Sequence, residues 1–207
     1  MDMGVHMKGW LSRTRRGVAD LLRDRRGVAA IEFAFIVPVL LALYFVTMEV
    51  AQGIEANKKV GRVGSMVADL ITQQQSMSKS ELEAIMQIGG AILQPYNRTR
   101  PTIVVTAIRV SDEPSPKATV VWSRKMVNGA FSEGPAKKSP VTIPEQLNIR
   151  NTFLIRVSGE LDYRPVITWS AQQTSSLGLA GAFDRIEMAE TYYLRPRMST
   201  EIACSDC

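Results

Sequence analysis

Histidine is nearly missing from this chain, and cysteine is scarce. The single histidine is His6, in a basic tail, where it reads as an incidental residue rather than a ligand. Catalysis by a nucleophile and base usually leaves a histidine near the reacting groups, and no phosphate loop or metal constellation takes its place. Neighbouring carboxylates such as Glu81 and Glu83, or Asp112 and Glu113, are accounted for by helix capping and a solvated turn. The expectation is a protein that is not an enzyme and has no cofactor or metal. The two cysteines, Cys204 and Cys207, sit together in Cys-Ser-Asp-Cys. Zinc would need two more ligands, and a redox pair would open a helix after a βαβ pattern. A small loop-closing disulfide is the first reading if the tail is exported, and it would stabilise little because it closes few residues. Free thiols are the alternative.

Charge is also missing where it counts. From Val28 to Thr47 the only charged residue is Glu32; the rest is Val, Ala, Ile, Phe, Leu, Tyr, one Pro and one Thr. Such a run, at about 1.5 Å rise per residue, gives roughly 30 Å of helix, one hydrocarbon thickness. It reads as a transmembrane helix over 28–47, in contact with the lipid bilayer. Ahead of it stand Lys8, Arg13, Arg15, Arg16, Arg23, Arg25 and Arg26 against Asp2, Asp20 and Asp24, so 7 − 3 gives +4 of the chain's +5. The basic charge is therefore a flank of the span. The positive-inside rule predicts a cytoplasmic N-terminus and an outward C-terminal part. A nucleic-acid partner is not expected, since that function places its charge on the folded surface.

Glu32 is costly. A carboxylate this deep costs on the order of 2–3 kcal/mol, so it should be neutral, snorkelling or paired. It can reach the headgroup layer, against Arg26, if it lies within one turn of the interface. Alternatively, a peptidase cut between Gly27 and Val28 would create an ammonium at the helix start. A neighbouring subunit, staggered along the axis, would then bring its terminus to Glu32 as a charge-assisted partner. Glycine suits such a cut, because it adopts the extended backbone a protease needs and interrupts the helix there. The near repeat Arg15-Arg16-Gly17-Val18-Ala19 lacks both the acid and the apolar run. Neither a twin-arginine nor an ordinary secretory signal fits so long a run with an acid in it.

These features together, a basic leader ending in glycine and an apolar helix with Glu at the fifth place and Pro within it, resemble type IV pilin-like proteins. More narrowly, Gly27-Val28-Ala29-Ala30-Ile31-Glu32-Phe33-Ala34 with Pro38 and Glu49 is similar to the TadE/TadG-type minor pseudopilins of the tight-adherence (Flp) pilus. The resemblance implies cleavage after Gly27 by a prepilin peptidase, with Glu32 and Phe33 serving processing and assembly. It also implies an inner-membrane location and a periplasmic domain. The partners it implies are other minor pseudopilins, the major pilin and the inner-membrane pilus platform. Trp122-Ser123, Ile143-Pro144 with Leu147, Glu160-Leu161-Asp162-Tyr163-Arg164-Pro165 and Arg195-Pro196-Arg197 carry the likeness further along the chain.

Taken in order, the chain divides into a basic cytoplasmic leader (1–27), the span (28–47), an outward extension of its helix (48–75) and an α+β domain (76–207). The leader is either a short amphipathic helix on the inner leaflet or a disordered tail. Pro38 removes one helical hydrogen bond and should bend the span. Val50, Ile54, Val60, Val63, Val67 and Leu70 form an apolar stripe, which predicts one helix over roughly 28–72. Gly61 and Gly64 in it mark a joint or a close-packing site. Ser80-Glu81-Leu82-Glu83 fits a capping box with Ser80 as N-cap, opening a second, amphipathic helix that ends near Pro95 and lies on a sheet. Strands are predicted at Thr102–Val110, Ala118–Ser123, Phe153–Tyr163 and Ile186–Leu194, the third alternating strictly, as in an antiparallel sheet with one face in water. The segments 124–151 and 168–183 read as long loops.

The expected fold is α+β and pilin-like: a long membrane helix, a short amphipathic helix and an antiparallel sheet. The expected function is an inner-membrane pseudopilin that helps initiate or assemble a tight-adherence pilus after leader cleavage. The alternative is an uncleaved single-pass protein whose periplasmic domain is a binding module.

Overall fold

The computed structural model describes residues 27–95, 101–165 and 186–207. The basic tail before Gly27 and the loop read at 168–183 lie outside the described residues. The chain falls into two units, one reaching to Met48 and one from Glu49 to Cys207.

Helix α1 (Val28–Thr72) starts in the first unit and runs into the second, as the apolar run and the stripe after it predict. In the second unit follow β1 (Ser76–Met77), helix α2 (Lys79–Ile92) and the strands β2 (Thr102–Val110), β3 (Ala118–Val127), β4 (Ala130–Ser132), β5 (Phe153–Tyr163), β6 (Ile186–Leu194) and β7 (Ala203–Cys204). The class is α+β. The main sheet has the order β4-β3-β2-β5-β6, with every neighbouring pair antiparallel. A small parallel pair, β1 with β7, ties the C-terminal tail to the segment between the helices.

The core lies between the two helices and one face of the sheet. Val60, Val63, Val67, Ala68 and Ile71 of α1 and Leu82 and Met86 of α2 meet Ile103, Val105 and Ala107 of β2. Trp122 and Met126 of β3 and Ile155, Val157 and Leu161 of β5 complete it. Full burial of each such large aliphatic or aromatic side chain contributes roughly 1.5–3 kcal/mol. The stripe enters this core only from Ala56 onward: Val50 and Ile54, read with it in the sequence, stay 54% and 53% exposed. A cleft separates their turn of helix from Tyr163, Ile186 and Met188.

Two expectations about capping and turns are corrected. Helix α2 is capped by Ser78, with Glu81 at the third position, and both bonds of the capping box are made. Ser78-Lys79-Ser80-Glu81 and Ser80-Glu81-Leu82-Glu83 satisfy the same pattern. The earlier frame is adopted because Glu83 is then free to accept from Arg124 Nε at 2.9 Å, in the half-buried ground between α2 and β3. The segment 124–151 is not a single loop. Strand β3 continues to Val127 and turns at Asn128-Gly129, both in the left-handed region with φ of 50° and 80°, into β4. Asn-Gly is the sequence that such a two-residue hairpin turn prefers.

The remainder of that segment covers the sheet's second face. Val120 N donates to Ser139 O and Val141 N to Ala118 O, each at 3.0 Å, which lays residues 139–141 along the start of β3. Val141, Ile143 and Leu147 then pack on a second cluster of Ile108, Val110, Ala118 and Leu154. A bulge in β3 opposite Ala107/Ile108 lets Trp122 point into the main core while Ala118 joins this one. One end of the sheet is thus buried on both sides, and the strict in-and-out alternation expected of β5 fails there: Phe153, Leu154 and Ile155 are all buried.

Candidate functional site

The site residues read from the sequence fall on two separate parts of the chain. Gly27, Val28, Glu32, Phe33 and Pro38 share the start of α1; Cys204 and Cys207 close the tail.

Val28 is the first residue of α1, and Gly27 immediately precedes it. No described atom lies within 4 Å of where a Cβ would stand at Gly27. Packing among the described residues therefore gives no reason for glycine there. Val28 and Glu32 are four apart, hence one above the other on a single helix face. Among the described residues Glu32 has no hydrogen-bond or ion-pair partner, and Arg26 lies outside them. Phe33 is 69% exposed. Pro38 stands inside the helix, where its ring leaves the carbonyl of Ala34 without its usual donor.

This half of α1 buries nothing. Ile31, Phe35, Ile36, Val39, Leu40, Leu41, Leu43, Tyr44 and Phe45 are all exposed, on every side of the helix. The helix is long and apolar enough to cross a membrane, and none of its most apolar window is covered by the described residues. A helix apolar all round has to be enclosed by lipid or by other helices. This single long apolar helix near the N-terminus suggests a single-pass membrane anchor.

The second half of α1 is fastened to the sheet by contacts the sequence reading only partly found. Tyr163 Oη, at the end of β5, donates to Glu49 Oε1 at 2.7 Å. Nothing in the spacing of these two residues, 114 positions apart, could have paired them. Gly61 and Gly64 form a shallow seat for Tyr192 of β6. An added Cβ would stand 2.9 Å from Tyr192 Oη at Gly61 and 2.6 Å from Tyr192 Cδ2 at Gly64. Of the joint and the close-packing site offered for this pair, the close contact is the one observed.

The tail completes the second unit. Cys204 and Cys207 are joined in a disulfide. Ile202 is 1% exposed within the core, and its carbonyl accepts from Trp122 Nε1 at 2.8 Å. Arg197 N donates to Thr72 O at the end of α1, and Asp206 Oδ1 accepts from Lys79 N, an otherwise orphaned donor at the start of α2, at 2.6 Å. Cys204, Asp206 and Cys207 bring three potential donors together. With both sulfurs bonded to each other, one carboxylate remains, which is no metal site. At the same helix start Glu81 is held below the ordinary carboxylate value of 4.5, chiefly by the Ser78 backbone N–H and then by the Ser78 hydroxyl.

Compared with known proteins, residues 27–68 match the family model described as TadE-like protein. The match begins at Gly27, covers the apolar run and continues past Gly61 and Gly64 to Ala68. No curated protein and no solved structure gives a significant match.

Proposed function

Because residues 27–68 of this chain are TadE-like, which suggests a part in assembling the Tad pilus, we propose that it is an inner-membrane pseudopilin of that system. A prepilin peptidase removes the basic leader after Gly27. The mature helix then packs beside those of other minor pseudopilins and the major pilin, at the inner-membrane platform. The N-terminus is cytoplasmic before cleavage, and the second unit is periplasmic. It acts through assembly rather than catalysis.

The observation that carries the reading is the first part of α1, residues 28–47: apolar on every side, uncovered by the described residues, and interrupted by one charge, Glu32, one turn after Val28. A lone acid in that setting is costly unless it is neutralised or paired, and the freed ammonium of a staggered neighbour would pair it. The +4 flank supports the orientation, and a disulfide in the tail fits an oxidising compartment.

Intact mass spectrometry of the protein from a host with and without the prepilin peptidase tests it. A species starting at Val28, dependent on the peptidase, is expected; full-length protein in both hosts refutes processing and leaves an uncleaved anchor with an outward binding module. Glu32→Ala should insert normally yet co-purify less with the pilin. Unchanged co-purification removes the role given to Glu32.

A further inference from the structure

Just past the apolar run, the chain has an apolar surface that its own core leaves uncovered. Val50 and Ile54 are half exposed and border an open cleft of about 480 Å³, whose far walls are Tyr163, Ile186 and Met188. Gly53, between them on the helix, leaves the cleft its width; the nearest atom to a Cβ there would be Tyr163 Cε1 at 3.9 Å. The volume is that of a site for a small molecule. The charged residues at its rim are of both signs, Lys58 with Glu49 and Glu187, so the cleft has no strong field favouring an anion or a cation.

Its place along the chain narrows the occupant. Val50 follows Thr47 by three residues, which span at most about 10 Å in any conformation. From Val50 to Ile54 is one helical turn, about 6 Å. The headgroup layer on each side of a bilayer is roughly 5–8 Å deep. The cleft therefore opens at the level of the headgroups and the water next to them. Val39, Leu43, Val46, Val50 and Ile54, all exposed, recur every three or four residues along the chain, so the apolar pattern of the span continues into the residues of the cleft. These are large aliphatic residues. A seam between helices favours small ones that let backbones approach, whereas lipid accepts large ones.

We propose that this cleft rests on the outer surface of the membrane and is filled by zwitterionic phospholipid, so that the second unit is held against the bilayer by a lipid-facing side. The inference depends on the membrane anchor proposed above. To test it, full-length Ile54→Cys protein is labelled with an environment-sensitive fluorophore and reconstituted in phosphatidylcholine–phosphatidylethanolamine vesicles; the native cysteines are paired and do not compete. Ile186→Cys probes the opposite wall, and Ile149→Cys, at a residue 49% exposed and absent from the cleft, is the control. Expected are quenching by headgroup-attached nitroxide and loss of quenching by aqueous iodide at positions 54 and 186, with the reverse at 149. Iodide quenching at 54 and 186 equal to that at 149, in protein resistant to alkaline carbonate extraction, overturns the inference while leaving the anchor intact. Extraction by carbonate overturns the anchor itself. A disulfide joining two molecules of unlabelled Ile54→Cys protein at low protein density would show a second copy in the cleft and overturn the lipid assignment.

Discussion

Replacing Gly64 by alanine sets two effects of opposite sign against each other, and the contact with Tyr192 decides which prevails. In a helix interior, alanine is favoured over glycine by about 0.8–1 kcal/mol. Here the added Cβ would stand 2.6 Å from Tyr192 Cδ2 and 3.1 Å from Cε2, against an ordinary carbon contact of about 3.5–4 Å. The ring must shift by about 1 Å, and overpacking of that kind costs about 1–3 kcal/mol. The net expectation is destabilisation of about 0–2 kcal/mol where propensity alone predicts a gain. At Gly61 the close atom is the phenol oxygen, at 2.9 Å, the far end of a side chain that can swing aside, so Gly61→Ala should cost less than Gly64→Ala. A double-mutant cycle separates the terms. In a Tyr192→Ala background the obstacle is gone, and Gly64→Ala should stabilise by about 1 kcal/mol. Denaturant unfolding of the detergent-solubilised protein, followed by near-ultraviolet circular dichroism, measures all four corners. A stabilising Gly64→Ala in the native background, or a coupling with Tyr192 indistinguishable from zero, would refute the seat between α1 and β6.

The frame of the α2 cap is checked by alanine at each serine. Ser78→Ala should cost about 1 kcal/mol, and Ser80→Ala less than about 0.5 kcal/mol, as for an ordinary surface change; the reverse order would restore the later frame. Glu81 is held below its ordinary value, so the unfolded chain takes up its proton first as pH falls. Its contribution is complete above about pH 4.5 and is lost as pH drops through the folded value; Glu81→Gln should flatten that part of the acid limb of a stability–pH curve. Tyr163→Phe removes the donor to Glu49 and should destabilise by about 1 kcal/mol without affecting insertion, read by the same denaturation and by carbonate extraction.

Much of the fold is legible in the sequence, where a pattern repeats over many residues. The apolar run from Val28 and the stripe from Val50 to Leu70 predict α1 because a helix repeats its face every three or four residues. Strands β2, β5 and β6 carry their β-branched and alternating residues at the bounds the sequence suggests. Short or ambiguous signals go astray. Ser78 and Ser80 open identical capping patterns, and only Glu83, meeting Arg124, selects between them. Asn128-Gly129 is a hairpin signal, but it is submerged in a stretch whose prolines and polar residues read as loop. Leu154 breaks the alternation of β5 because residues 139–147 return to cover that end of the sheet.

Composition read along a single line is enough for one part of this protein: an apolar helix of membrane length, its lone acid, its glycine boundary and the basic flank before it. The tendency of such a helix to enter lipid follows from transfer free energies summed over neighbouring residues, and these need no tertiary partner. Which residues distant in the chain meet is settled only when the sheet assembles on its helices. Tyr163 reaches Glu49, Tyr192 finds the seat at Gly61 and Gly64, and Trp122 holds the tail at Ile202. Those contacts are set by sheet order, by the bulge in β3 and by the close approach of backbones, quantities that no local pattern encodes.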